Sequence, residues 1–250
     1  SIVAAWDESQ MKQVYDSFVR MQEWQQTEDT EEAMMSLPHL ELSDVPEQIK
    51  TVDTDLTDLA GVKVLRVKED TNGIAYLNMY FDISDYSAGD LQLTSALTAS
   101  FGELRTENYA GDELQTRIKT VIGSLSARVE VMAKPGDLDE CKPYLVVTAG
   151  VLEENMSEAA ELLTELFTRG RYDEMDKIYE TVMQSEYMIK QALIANGHQF
   201  AITRSLSAFS RENAMKELLD GETFVRWFTG YADGFMDKAG EYPVVFERLM

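Results

Sequence analysis

The chain has 250 residues, 44% of them apolar and 27% charged, a balance that supports a packed core and excludes a disordered tail. Lysine plus arginine number 22 against 45 aspartate plus glutamate, and the net charge of −23 repels phosphate backbones and anionic lipid headgroups, which excludes nucleic acid and membrane surfaces as partners. A basic peptide is what such a field attracts.

In chain order, Ser1-Ile-Val-Ala-Ala-Trp-Asp-Glu8 has no basic residue and soon turns acidic, so it is not a signal peptide; lacking an initiator methionine, it is expected to belong to a longer chain. Residues 7–26 space Met11, Tyr15, Phe18, Val19 and Met21 mostly by three and four, with Trp24 near the end, which predicts an amphipathic helix that must dock on something. From Thr27 to Asp58 ten acids face the single Lys50, and Pro38 and Pro46 interrupt any helix, so an extended acidic connector is expected. This places the division between a helical arm with its connector, residues 1–42, and a domain over residues 43–250.

Residues 62–67 and 73–83 alternate and are rich in β-branched and aromatic side chains; with Asp70-Thr-Asn-Gly73 between them, they predict an antiparallel hairpin turning at Asn72-Gly73. Helical patterns follow at about 87–104 and 111–122. Residues 124–132 then alternate as a strand, Pro135-Gly136 turns the chain, and 144–148 reads as a more buried strand. After Asn155 the pattern is helical throughout: about 155–168, a long run over 173–207, then 211–219 and 222–235. Arg169-Gly170 should end the first, Asn196-Gly197 kink the second and Ser210 cap the third. Met175, Ile178, Tyr179, Val182, Met183, Tyr187 and Met188 are spaced as a core stripe. The economical architecture is α+β, an antiparallel sheet covered by helices on one face, preceded by the helical arm.

Chemistry has little to work with. Neither of the two histidines, in His39-Leu-Glu-Leu-Ser and His198-Gln-Phe-Ala-Ile, begins H-x-x-E-H or H-E-x-x-H, so no local zinc site can be built. His198 is expected to be structural, its ring bonded to a nearby loop with Gly197 allowing close helix packing. Cys141, the only cysteine, can form no intrachain disulfide; it follows Asp137, Asp139 and Glu140, whose charge raises its pKa, and reads as a packing residue at a strand edge. G-x-S-x-G, G-x-x-x-x-G-K-[ST] and G-x-G-x-x-G do not occur, and acid pairs such as Glu31/Glu32 and Glu153/Glu154 read as solvated faces. No apolar run approaches the ~20 residues of a membrane span. The residues alone assign no catalytic, metal or substrate-binding position.

Several segments nonetheless occur in an order that resembles one family. Trp24-Gln-Gln-Thr-Glu-Asp-Thr-Glu-Glu-Ala33 with Ser36-Leu-Pro-His-Leu-Glu-Leu-Ser-Asp-Val-Pro46, Thr71-Asn-Gly-Ile-Ala-Tyr-Leu-Asn-Met-Tyr-Phe-Asp-Ile-Ser84, Leu104-Arg-Thr-Glu-Asn-Tyr109, Asp137-Leu-Asp-Glu-Cys-Lys-Pro-Tyr-Leu-Val-Val147 and Asn196-Gly-His198 are similar to the third domain of insulinase-like (pitrilysin) zinc metallopeptidases of the presequence-protease branch, together with the end of the interdomain linker. The resemblance covers about residues 20–200. It implies a two-half enzyme that closes around an unstructured peptide, with zinc in a catalytic domain upstream of this chain. Thr106-Glu-Asn-Tyr109, used as a register mark, puts the H, E and H positions of the zinc motif on Ala96, Ala99 and Ser100.

The resulting expectation is a non-catalytic domain that helps to form the peptide chamber. Its partners would be the remaining domains of the peptidase and unstructured, basic peptides. The rival is a free-standing acidic peptide-binding module. A bacterial cytoplasm is the expected location, with an organelle lumen as the family's alternative.

Overall fold

The computed structural model describes residues 6–38, 40–45, 51–238 and 240. Contacts divide the chain into two compact units, residues 1–69 and 70–250. The division falls beyond the composition shift near residue 43, because a hairpin at 54–67 pairs only with itself.

In the first unit, helix α1 spans Glu8–Gln26, as the apolar spacing predicted. A reciprocal capping box closes its start: the Gln10 N–H donates to Asp7 Oδ1 at 2.8 Å and the Asp7 N–H donates to Gln10 Oε1 at 3.0 Å. None of its residues is buried, and Tyr15, Phe18 and Trp24 are exposed. The acidic stretch is less extended than expected. It contains the short helix α2, Glu31–Met35, started by Thr30 Oγ1 accepting the Ala33 N–H at 3.2 Å, and a 3-10 turn at Leu42–Asp44.

Strand β1, Thr54–Leu59, lies where connector was expected and pairs antiparallel with β2, Val62–Val67, from Thr54↔Val67 to Leu59↔Val62. Their turn puts Ala60 at φ 53° and Gly61 at φ 86°, the double left-handed geometry of a tight hairpin. The expected hairpin between 62–67 and 73–83 therefore does not form. Asn72 and Gly73 do take positive φ, 51° and 77°, but they lead into β3, Ile74–Asp82, which joins another sheet.

In the second unit, β3 is followed by α3, Ala88–Leu97, which tightens into a 3-10 turn at Thr98–Ser100 and so stops short of the expected 104. Next come α4, Gly111–Val121, then β4, Ser124–Lys134, and β5, Asp137–Leu152, joined by Pro135 and Gly136 with Gly136 at φ 87°. β5 is three times the length expected and is the central strand, in the order β3-β5-β4, antiparallel on both sides.

Register and alternation sort the sheet into two faces. Leu77 and Met79 of β3, Val147 and Ala149 of β5, and Leu125 and Ala127 of β4 share one face, which packs on helices. Tyr76, Asn78, Tyr80, Tyr144, Thr148 and Arg128 share the other, where Tyr76 and Tyr80 are exposed. Each fully buried valine such as Val147 or Val151 contributes about 1.5–3 kcal/mol of transfer free energy.

The remaining helices are α5, Met156–Arg169; α6, Met175–Ala195; α7, Gly197–Leu206; α8, Arg211–Asp220; α9, Glu222–Asp233; and α10, Phe235–Lys238. Gly170 follows α5, Asn196 separates α6 from α7, and Ser210 Oγ accepts the Asn213 N–H at 3.2 Å to start α8, all as the sequence predicted. α4 and α5 cover one end of the apolar sheet face through Leu114, Ile118, Leu162 and Leu163. A second cluster joins α3, α6 and α9 through Leu97, Ile178, Val182, Phe224 and Phe228.

The α6 stripe is narrower than expected. Ile178 and Val182 are buried, but Tyr187 and Met188 are exposed, and the next position on the buried line is Glu186, with Lys190 Nζ 2.6 Å from its Oε1. A carboxylate can hold that position because its partner lies one helical turn along. No helix among the described residues is long and apolar enough to cross a membrane.

Candidate functional site

The positions aligned with the zinc motif sit on α3 and the turn after it. Ser87 starts α3 by accepting the Asp90 N–H at 3.2 Å; Leu91 packs into one apolar cluster and Leu93 and Leu97 into another, so α3 is buried on two sides. Two polar side chains of α3 reach the end of α8: Gln92 Nε2 donates to the Leu218 carbonyl at 3.3 Å and Ser95 Oγ to that of Leu219 at 2.9 Å. These are terminal carbonyls that α8 cannot satisfy internally.

Ala96 and Ala99 face a cleft, whereas Ser100 is 2% exposed and does not line it. An H-x-x-E-H motif needs its first, fourth and fifth positions on one face of a continuous α-turn. Here the α-helix ends between the first position and the other two. Two methyl groups and a buried hydroxyl offer zinc no ligand set, and no cluster of three histidine, cysteine or acidic side chains among the described residues could hold a metal. The residues present do not fit the metal.

The small side chains leave space instead. The cleft, of about 790 Å³, is open to solvent and lies between α3, α6 and the α8–α9 junction. Ser95, Ala96 and Ala99 form one wall, Ser185 and Met188 of α6 another, and Phe224 and Phe228, stacked with centroids 5.6 Å apart, the floor. Asp220 stands at the C-terminal end of α8 on its rim, and the surrounding protein pushes its carboxyl above the usual carboxylate range. It has no hydrogen-bond or ion-pair partner among the described residues. The cation beside the cleft, Arg128, is committed: its Nε and Nη2 donate to Glu130 Oε2 at 3.2 and 2.9 Å, and its Nη1 to Thr148 Oγ1 at 3.1 Å.

Thr106-Glu-Asn-Tyr109 forms a clasp. The Glu107 N–H donates to the Arg169 carbonyl and the Arg171 N–H to that of Arg105, both at 2.9 Å. Within it Glu165, its side chain only 7% exposed, accepts from the Asn108 N–H at 3.1 Å, Asn108 Nδ2 at 2.9 Å and Arg169 Nη1 at 3.1 Å. Burial alone would raise this carboxyl, but the hydrogen bonds from Thr106, Asn108 and Arg169 outweigh it, and the net shift is downward.

Other singled-out residues take ordinary places. His39 lies outside the described residues. His198 is exposed in the first turn of α7, and a Cβ on Gly197 would meet nothing within 4 Å, so neither the loop bond nor the close helix packing expected there forms. None of the residues of α7 is buried. Cys141 is half-buried beyond the last β3–β5 pair, its Sγ 3.7 Å from Met215 Sδ, and burial, more than the nearby acids, raises its pKa.

Against known families, residues 1–229 match the model of one described as associated with the peptidases of metallopeptidase family 16, subfamily C. The chain belongs to this peptidase-associated family. Among curated relatives of this peptidase-associated chain, Protein HypA of Clostridium perfringens is 25% identical over 217 residues, which is 87% of the chain and 22% of that protein. Presequence protease 1, chloroplastic/mitochondrial, of Arabidopsis thaliana is 25% identical over 203 residues, 81% of the chain and 19% of that protein. The mitochondrial presequence protease of Danio rerio is 24% identical over 198 residues, 79% and 19% respectively. The chain thus spans about a fifth of the length of these relatives. The resemblance to the presequence-protease branch that the segments carried holds at the level of the family.

Proposed function

We propose that this chain is a non-catalytic domain of a larger zinc metallopeptidase, forming part of the wall that encloses unstructured peptides. The observation that carries the reading is a family match over residues 1–229 in a chain whose positions aligned with the zinc motif are Ala96, Ala99 and Ser100. Zinc and its H-x-x-E-H motif would then belong to a catalytic domain upstream. The arm of residues 1–42 would tie the enzyme's halves together, and residues 43–250 would supply the wall. Relatives named for chloroplasts and mitochondria stand beside a bacterial one, and a bacterial cytoplasm is our proposal for this chain.

Three observations test this. Incubated with an unstructured peptide, the purified chain should leave it intact, and metal analysis should find no stoichiometric zinc. One zinc held per chain and lost on replacing His39 or His198 would overturn the assignment. In the open reading frame that encodes the chain, an H-x-x-E-H motif should lie upstream; its absence would favour a free-standing peptide-binding module.

A further inference from the structure

We propose that the cleft between α3, α6 and the α8–α9 junction is a binding pocket for a basic side chain of an extended peptide, with Asp220 as its charged anchor. The identity of the ligand as a peptide rests on the enclosure reading above. The pocket itself rests on geometry and charge.

A volume of about 790 Å³ lies within the roughly 300–1,000 Å³ of concave sites that hold small ligands. It exceeds what one side chain fills and leaves room for flanking backbone. The stacked rings of Phe224 and Phe228 floor it and Met188 lines its side, which suits the aliphatic stem of arginine or lysine. Ser95 and Ser185 line it as well, and their hydroxyls can meet peptide N–H and carbonyl groups.

Polarity selects the sign of the ligand. Asp220 carries an uncompensated carboxylate, exposed at the rim of the cleft, at the C-terminal and hence partially negative end of α8. Glu103, one of whose oxygens accepts from Gln115 Nε2, adds a second negative charge to the lining. Arg128, the nearby cation, is already held by Glu130 and Thr148 and cannot neutralise Asp220 without leaving them. A net charge of −23 would concentrate basic peptides around the molecule before any contact forms. The partial charges of the α8 C-terminus and the α9 N-terminus meet at this junction and offset each other, so the two carboxylates set the sign: they repel an anionic ligand, and a purely apolar one would cover Asp220 without giving it a partner.

Calorimetric titration of the 250-residue chain tests this with two capped ten-residue peptides of serine, glycine and leucine. One carries a central arginine, the other its neutral isostere citrulline. The arginine peptide should bind about fivefold more tightly, the upper end for a solvent-facing ion pair. Asp220→Asn, on an exposed helix end, should bring the two affinities together without lowering the melting temperature. Ala99→Phe should fill the cleft and weaken both. Equal affinities for the two peptides, no binding of either, an Asp220→Asn chain that still discriminates, or undiminished binding by Ala99→Phe would each overturn the proposal. Such a failure would leave the enclosure reading standing, because a wall needs no charged pocket. That reading falls only on hydrolysis or zinc in the isolated chain, or on a missing upstream motif.

Discussion

Glu165 shows how one carboxylate fastens a loop. Its oxygens take hydrogen bonds from the Asn108 backbone, the Asn108 amide and Arg169, and the side chain is only 7% exposed. Glu165→Gln keeps the shape but removes the charge and puts an NH₂ where acceptors are needed, so we expect a loss of about 1–3 kcal/mol in urea unfolding. Because the folded carboxyl lies below its ordinary value of 4.5, its contribution is fully present above that value and is lost as pH falls through the lower, folded one. Acid titration should therefore destabilise the native chain more steeply than the glutamine variant. Parallel acid curves would contradict the role given to the clasp.

The junction of α8 and α9 depends on one side chain and one glycine. Glu217 Oε1 accepts from the Thr223 N–H and Oγ1, both at 2.9 Å, and from Arg204 Nη1 at 3.4 Å, so α8 supplies the cap that Gly221 cannot give to α9. A Cβ on Gly221 would lie 2.0 Å from Glu217 Oε2 and 2.8 Å from the Glu217 Cα. Since a backbone atom is among the clashes, Gly221→Ala should cost about 1–3 kcal/mol and lower the melting temperature. An unchanged melting temperature would show that the junction yields.

What the sequence made legible at this scale follows from local physics. Period and capping residues located most helices, and Pro135-Gly136 located the turn of the central hairpin. β1 carries no strand signal of its own, because Asp55 and Asp58 lie among its residues and continue the acidic composition before them. Asn72-Gly73 is the stronger turn signal, whereas alanine at position 60 carries no hint that it will take φ 53°. The cleft is still harder to read: it forms where Ala96 and Ala99 meet α6, more than 80 residues away in the chain. Nothing local distinguishes Asp220 among the 45 acids.

For the molecule as a whole, the exposed apolar side of α1 sets behaviour in solution. Met11, Tyr15, Phe18 and Met21 are 49%, 66%, 50% and 46% exposed, a stripe that seeks cover. At high concentration and moderate salt, where the repulsion from −23 is screened, sedimentation velocity should detect self-association that Phe18→Glu reduces. A native chain that stays monomeric at every concentration, or strong hydrogen-exchange protection of α1 in the dilute monomer, would count against this.

The partition after Glu69 also has a calorimetric consequence. A two-stranded ribbon such as β1–β2 is marginal alone, whereas β5 is paired on both sides and backed by a buried face. The first unit should therefore melt at lower temperature than the second, and the van't Hoff enthalpy of the whole chain should fall below the calorimetric one. Any single melting temperature assigned to this protein would then describe residues 70–250, while changes in the first 69 pass beneath it as a shallow baseline slope.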